Sequence, residues 1–363
     1  MPRTPDAWLY AVAKRNLVDA ARRSRTAREA EPTLFLLADE SWDREDEPEV
    51  PDRRLQLLFA CAHPAIDPGV RAPLMLQALL GFDAATIASA FLVSPATMGQ
   101  RLVRAKARIR DTGIPFRVPR AEELPERLGD VLEAIYAVFS QGWADASGTQ
   151  PGGRGLAEEA IWLARLVALV LPQEPEAMGL LALLLHAHAR RDARRDALGE
   201  FVPLDEQDPS RWDGALIEEA EALLRNAAAM GRPGRFQLEA AVQSVHAARR
   251  VAGTTDWAAI VRLYDALLAL TGSVVVAINQ AVATAQQGER VAGARASLER
   301  LDALLADPQV VQYQPFWAAR AELLARAGET SRARQDYERA IGLEPDPAVR
   351  RYLQRRSERL EEG

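Results

Sequence analysis

The sequence contains one cysteine, Cys61, and only two lysines, Lys14 and Lys106, among its 363 residues. A single cysteine excludes an internal disulfide and favours a reducing compartment. No run of about 18 apolar residues is present, and charged side chains interrupt the first helix-length stretch, where a signal peptide would have an apolar core. These absences predict a soluble, cytoplasmic protein without a membrane segment.

Residue patterns typical of enzymes and metal sites are also missing. Cys61 and His63 supply two of the roughly four ligands that a structural zinc site needs, and they are expected to pack at a helix end. The glycine-rich loop at 150–155 is not followed by the Lys-Ser/Thr pair of a phosphate-binding loop. No Ser-His-Asp set or paired carboxylate stands out. The sequence therefore predicts no catalytic residue, no cofactor and no metal, and a protein that is not an enzyme.

Charge is distributed unevenly along the chain. Residues 1–30 carry a net charge of +4, residues 31–49 carry −7, residues 50–110 carry +5, and residues 111–363 carry −8. The total of −6 would argue against nucleic acid as a partner. The two basic blocks in the N-terminal third of the chain are nevertheless compatible with nucleic-acid binding.

Apolar residues recur at helical spacing throughout, which predicts an all-α fold. Even the β-branched run at 273–278 lies within a helical pattern. Prolines and glycines divide the chain into a first helix at about 6–28, an acidic linker, a compact helical unit ending near 113, an extended connector at 114–125, and a long series of helices. We expect the part from about Leu124 onward to fold independently.

The last part of the chain contains an internal repeat with an offset of 40 residues. Aligning Gly288 with Gly328 also aligns Ala281 with Ala321. The second copy resembles the tetratricopeptide pattern in Ala321, Gly328, Ala333, Tyr337, Ala340 and Pro345. Because each helix pair leaves an apolar face that a neighbouring pair covers, we expect a stacked helical-repeat extension.

Residues 79–110 have the layout of a helix-turn-helix. A short helix from about Asp83 is followed by a turn and then by Ser94 and Pro95, a capping residue and a first-turn proline. In the next helix Met98, Leu102, Ala105 and Ile109 form one stripe, which we expect to be buried. A separate face carries side chains suited to base edges and phosphates: Thr97, Gln100, Arg101, Arg104 and Arg108.

Residues 52–112 resemble region 4 of an extracytoplasmic-function (ECF) RNA polymerase sigma factor. The resemblance lies in LFACAHPAI at 58–66, ATIASAFLV at 85–93 and SPATMGQRLVRAK at 94–106. Later segments are similar to the long-tailed ECF subgroup, which has a tetratricopeptide-like C-terminal extension. They include EAIWLARL at 159–166, GLLALLLHAHARR at 179–191 and EQDPSRWD at 206–213. In EQDPSRWD we expect Arg211 to pair with an acidic side chain.

The resemblance implies five segments: a remnant of region 2 at 1–28 that lacks most of that region, an acidic linker at 29–51, region 4 at 52–113, a subgroup-specific helical domain at 114–215, and tetratricopeptide-like repeats at 216–363. It implies promoter DNA and RNA polymerase core as partners, a regulatory role for the C-terminal extension, and a peptide or protein as a ligand of the repeats. The −35 element would contact Ser94, Pro95 and the polar face, and the −10 region would contact Arg15, Asn16, Arg22 and Arg23.

Two other functions remain open at this stage. One is an interaction scaffold in which the repeats bind a peptide and the helix-turn-helix is vestigial. The other is an ordinary transcription regulator, which binds an operator sequence and does not take the place of a sigma subunit on the polymerase.

Overall fold

A computed structural model describes residues 50, 52–91, 93–112, 119–144, 155–287 and 289–360. Within these ranges every regular element is helical, apart from one isolated bridge between Arg195 and Phe201. The predicted all-α fold is therefore confirmed. No helix in these ranges is long and apolar enough to cross a membrane. The chain divides into two compact units, Met1–Ala177 and Met178–Gly363.

The first unit is built from helices of 7 to 21 residues that pack around an apolar core. Phe59, Leu74 and Ile135, on three different helices, are fully buried in it. The second of these helices contacts the other two, and its glycine C-cap, Gly81, adopts a left-handed conformation that ends it. In chain order the helices are α1 (Arg53–Cys61), α2 (Pro68–Leu80), α3 (Ala84–Ala90), α4 (Pro95–Thr112), α5 (Leu124–Ala144) and α6 (Leu156–Val170), and α7 (Pro175–His188) contains the boundary between the units.

Helix α5 corrects two expectations. The predicted extended connector at 114–125 is wrong at its end, because residues 121–123 form a 3₁₀ turn and α5 begins at Leu124. Pro125 lies in the first turn of α5, where its missing N–H removes no helical hydrogen bond. The segment from Leu124 also does not fold independently, since α5 packs against α1 and α2. Residues 113–118 lie outside the described part.

The second unit is a succession of helices in which each one contacts the next along the chain. The four-residue helix Pro308–Val311 is the exception, because the helices before and after it contact each other directly. This arrangement is that of a helical repeat. The helices are α8 (Gly214–Ala229), α9 (Arg235–Ala252), α10 (Trp257–Thr271), α11 (Val274–Ala285), α12 (Arg290–Ala303), α13 (Pro308–Val311), α14 (Gln314–Arg326), α15 (Thr330–Leu343) and α16 (Pro347–Glu358).

The repeat positions predicted in the second copy have the expected environments. Ala321, Ala333 and Ala340 are buried without exposed area, and Tyr337 is 2% exposed. Gly328 has a φ of 82°, so the turn between α14 and α15 uses the left-handed region that glycine tolerates best. The β-branched run at 273–278 is helical, as its spacing predicted, because it begins α11.

Candidate nucleic-acid interface

Two helices joined by a short turn form the candidate site. The N–H of Thr86 donates to Asp83 Oδ1 at 2.8 Å, which fixes the start of α3. After α3 the N–H of Val93 donates to the carbonyl of Ala88 at 3.0 Å, closing the turn that leads into α4. Of the three residues expected on the inner face of this helix, Ile87 and Ala88 are buried, whereas Phe91, just after the end of α3, is only partly buried. Residue 92, in the same turn, lies outside the described residues.

Ser94 caps α4. Its Oγ accepts a hydrogen bond from the N–H of Thr97 at 3.1 Å, and its hydroxyl lies 2.7 Å from the hydroxyl of Thr97. Pro95 is the first helical residue, where its fixed φ suits the helix. Both the cap and the first turn are exposed, so this end of α4 is open to solvent.

One side of α4 is buried and the other is not. Met98, Leu102 and Ile109 are at most 2% exposed and Ala105 is 9% exposed, which confirms the predicted apolar stripe. The stripe packs α4 against α2 and α3. The five polar residues assigned to the other face are all exposed: Thr97, Gln100, Arg101, Arg104 and Arg108.

Val103 is a surface residue that the sequence analysis missed. It is 69% exposed, which is unusual for a branched apolar side chain. At 100° per residue it lies about 130° from the centre of the buried stripe and about 60° from Gln100. The same angular calculation would have found it, because a valine outside the buried stripe has to face solvent. Val103 and Gln100 therefore share the outermost side of α4.

A cleft of about 430 Å³ lies between α4 and the beginning of α2. Its α4 wall includes Arg101, Arg104 and Arg108, and its opposite wall includes Asp67 and Gly69. Asp67 is the N-cap of α2 and accepts from the N–H of Gly69 at 2.8 Å. Three guanidinium groups and one engaged carboxylate give the cleft an excess of positive charge.

Two arginines of this wall, Arg101 and Arg104, are not neutralised by neighbouring carboxylates of the described residues. Within the described residues, no carboxylate is in ion-pair contact with Arg101 or Arg104. The nearest acidic residue along α4 is Asp111, which lies 3.6 Å from Arg110 at the far end of the helix. Lys106 is half-buried on the other side of α4 and has interactions of its own. The exposed positive charge of α4 is therefore concentrated on the cleft side.

Arg71 holds the second wall of the cleft in place. Arg71 donates to the carbonyls of Ile66 at 2.8 Å and Pro64 at 2.9 Å, and it pairs with Asp130 of α5 at 2.8 Å. These bonds fix the turn before α2 that forms the cleft. Helix α5 thus supports the candidate interface, although it contributes no side chain to it.

Another buried arginine of the first unit is Arg127, whose side chain is only 3% exposed. It donates to the carbonyl of Phe59 at 3.2 Å and to Glu123 Oε1 at 3.1 Å. Because its charge is buried, both bonds are needed to offset the cost of removing it from water. Arg127 therefore ties α5 to α1.

The other residues singled out in the sequence have structural environments or lie outside the description. Cys61 is buried at the end of α1, and burial raises the pKa of its thiol. In the described ranges no group of three or more His, Cys, Asp or Glu side chains is placed to hold a metal ion. The residues expected at the −10 region, Arg15, Asn16, Arg22 and Arg23, and most of the acidic linker lie outside the described residues.

Arg211 corrects a smaller expectation. We predicted that it pairs with an acidic side chain, but its guanidinium donates to the backbone carbonyls of Asp192 and, at 3.3 Å, Arg195. It thereby fixes the loop between α7 and α8. The motif EQDPSRWD is a structural element within the second unit.

Fold and site together define an all-helical protein with a helical-repeat arrangement in its second unit and a basic, exposed helix in its first. Residues 127–228 match the model of a family of unknown function, DUF6596. Over 364 residues the chain is 39% identical to an uncharacterized protein of Rhizobium meliloti (strain 1021), and the match covers 99% of this chain and 85% of that protein. The chain belongs to the same family as this Rhizobium meliloti protein.

Proposed function

We propose that this protein is a sigma factor of the ECF type, which directs RNA polymerase core to promoters and binds the −35 element through α3 and α4. The observation that carries the proposal is the division of α4 into a buried apolar stripe and an exposed basic face that begins at a capped, open N-terminus. A helix-turn-helix presents its second helix to the major groove in this way.

The exposed side chains of α4 suggest how the contacts are shared. Gln100 and Val103, on the outermost side, are suited to base edges, since an amide can read adenine and a branched apolar group can contact a thymine methyl. Arg101, Arg104 and Arg108 flank them along the cleft and are suited to guanine or to backbone phosphates. Thr97 and Ser94 lie at the helix end that would enter the groove first.

The assignment to polymerase depends on the resemblance of residues 52–112 to sigma region 4. DNA binding by α4 is equally consistent with an ordinary operator-binding regulator, and the helical repeats are equally consistent with a peptide-binding scaffold. Polymerase recruitment is the property that separates these functions. A sigma factor catalyses no reaction itself, so no catalytic residue is assigned.

The test combines co-purification with DNA binding. The full chain is mixed with RNA polymerase core and passed over a size-exclusion column, and its binding to a pool of duplexes is then selected with and without core. Co-elution with core and enrichment of a common −35-like sequence would support a sigma factor. Sequence-specific binding without co-elution would indicate an operator-binding regulator. Absence of both would leave the scaffold function as the better description.

A further inference from the structure

We propose that the acidic segment 31–49 of the same chain occupies the arginine cleft beside α4 and competes there with DNA. This inference rests on the proposed DNA-binding function and adds a regulation of the same site. The occupant is intramolecular, and its chemistry is that of a carboxylate-rich peptide. In the free protein it would take the place of the DNA phosphates.

Charge complementarity is the first argument. Segment 31–49 contains eight acidic side chains and one arginine, which gives a net charge of −7. In the cleft, Arg101 and Arg104 are exposed and have no ion-pair partner in the described part of the chain, and the Asp67 carboxylate is used to cap α2. Guanidinium groups bind carboxylates in the same forked geometry that they use for phosphates. The acidic segment therefore satisfies the same donors that DNA would.

The point of attachment is the second argument. Segment 31–49 joins the folded part of the chain at Val50, which is fully buried and whose carbonyl accepts a hydrogen bond from Gln56 Nε2 at 2.7 Å. The segment therefore enters the same unit that carries α4. Seven of the eight acidic side chains lie between 39 and 49, and Glu40, near the far end of this run, can lie up to roughly 35 Å from Val50 when the chain is extended, which brings the cleft of the same unit within reach. A tether of this length also keeps the acidic side chains at an effective concentration of order millimolar.

Weak individual ion pairs suffice to hold the acidic segment in the cleft, because the segment is tethered to the same unit. Each exposed pair contributes little and is screened by salt, but several pairs acting in one tethered segment add up. The competition should therefore be strong at low salt and vanish at high salt. DNA binding itself also weakens with salt, so the comparison has to be made between variants at each salt concentration.

The first experiment neutralises the acidic segment in the full chain. The variant carries Asp39→Asn, Glu40→Gln, Asp43→Asn and Glu45→Gln. The matched control removes four charges from exposed positions of the second unit: Glu218→Gln, Glu299→Gln, Glu338→Gln and Glu358→Gln. We expect the first variant to bind the selected duplex about tenfold more tightly than the control at about 50 mM salt, and less than about twofold more tightly at about 500 mM.

The second experiment detects the contact without DNA. The pair Glu40→Cys and Gly69→Cys, the latter on the cleft wall, is introduced into the full chain, where Cys61 is buried and does not compete. We expect an intramolecular disulfide on mild oxidation, seen as a mobility change on a non-reducing gel. Adding Arg101→Gln and Arg104→Gln should slow its formation. The single variant Glu40→Cys controls for links between molecules.

The outcomes separate the two hypotheses. If the neutralised variant and its control bind DNA equally at every salt concentration, or if no intramolecular disulfide forms, the competition is refuted and the proposed DNA-binding function stands. If the disulfide forms but no variant binds any duplex, the acidic segment does occupy the cleft and the proposed function is refuted. A tighter variant together with a cross-link supports both.

Discussion

Replacing Arg104 with alanine is the most direct test of the face that we assign to DNA. Arg104 is exposed, lines the cleft and forms no ion pair within the described residues. Its removal should change the free energy of unfolding by less than about 0.5 kcal/mol, because no buried contact is lost. Binding to the duplex should become less favourable by about 1–3 kcal/mol, which raises the dissociation constant roughly 5- to 150-fold.

The salt and sequence dependence of the loss would show what Arg104 contacts. If it grips a phosphate, the slope of log K against log salt should become shallower by about 0.9, with a similar loss on every duplex. If it contacts a base edge, the loss should be confined to duplexes that carry the preferred base. Fluorescence anisotropy over a range of salt concentrations, with matched and mismatched duplexes, distinguishes the two.

Lys106 provides the internal control for this experiment. It lies about 160° around α4 from Arg104 and is half-buried. Lys106→Ala should therefore cost less binding free energy than Arg104→Ala, and Arg295→Ala, an exposed change in the second unit, should cost almost none. A larger loss for Lys106→Ala would refute the assignment of faces on α4.

Three further changes test the fold. Arg127→Leu removes the bonds to Phe59 and Glu123 and should lower the free energy of unfolding by about 2 kcal/mol in urea titrations, whereas the exposed change Glu126→Gln should not. Gly328→Ala places a side chain at a φ of 82° and should destabilise the protein by about 1 kcal/mol, whereas Gly342→Ala, inside α15 with open space for the added Cβ, should leave stability unchanged or raise it. Burial and two nearby arginines lower the pKa of His246 to about 4. The unfolded chain protonates His246 near pH 6.5, whereas the folded chain does so only near pH 4, so the free energy of unfolding should fall as the pH drops from about 6.5 towards 4. At pH 5 this loss should be about 2 kcal/mol larger than in the His246→Gln variant, which lacks the titrating group. Equal pH profiles for the two proteins would contradict this.

Much of the candidate site follows from local sequence. A serine followed by proline fixes the start of α4, because a side-chain oxygen caps the helix and proline is tolerated in its first turn. The 3.6-residue period then determines which of its side chains are buried, and Met98, Leu102 and Ile109 are. The same local rules placed the repeat glycine at Gly328 and the small residues that pack beside it.

Tertiary structure decided what depends on residues that are distant in sequence. Prolines between 114 and 125 indicated an extended connector, but burial of Leu124 and Arg127 against α1 and α2 made the end of that stretch helical. The cleft exists only because the turn before α2 is held opposite α4, with Arg71 bonded to a carboxylate 59 residues away. Spacing along one helix determines its own faces, but it carries no information about which other segment will lie against them. The sequence alone therefore determined the polar face of α4, and the packing of α2 and α5 determined the cleft beside it.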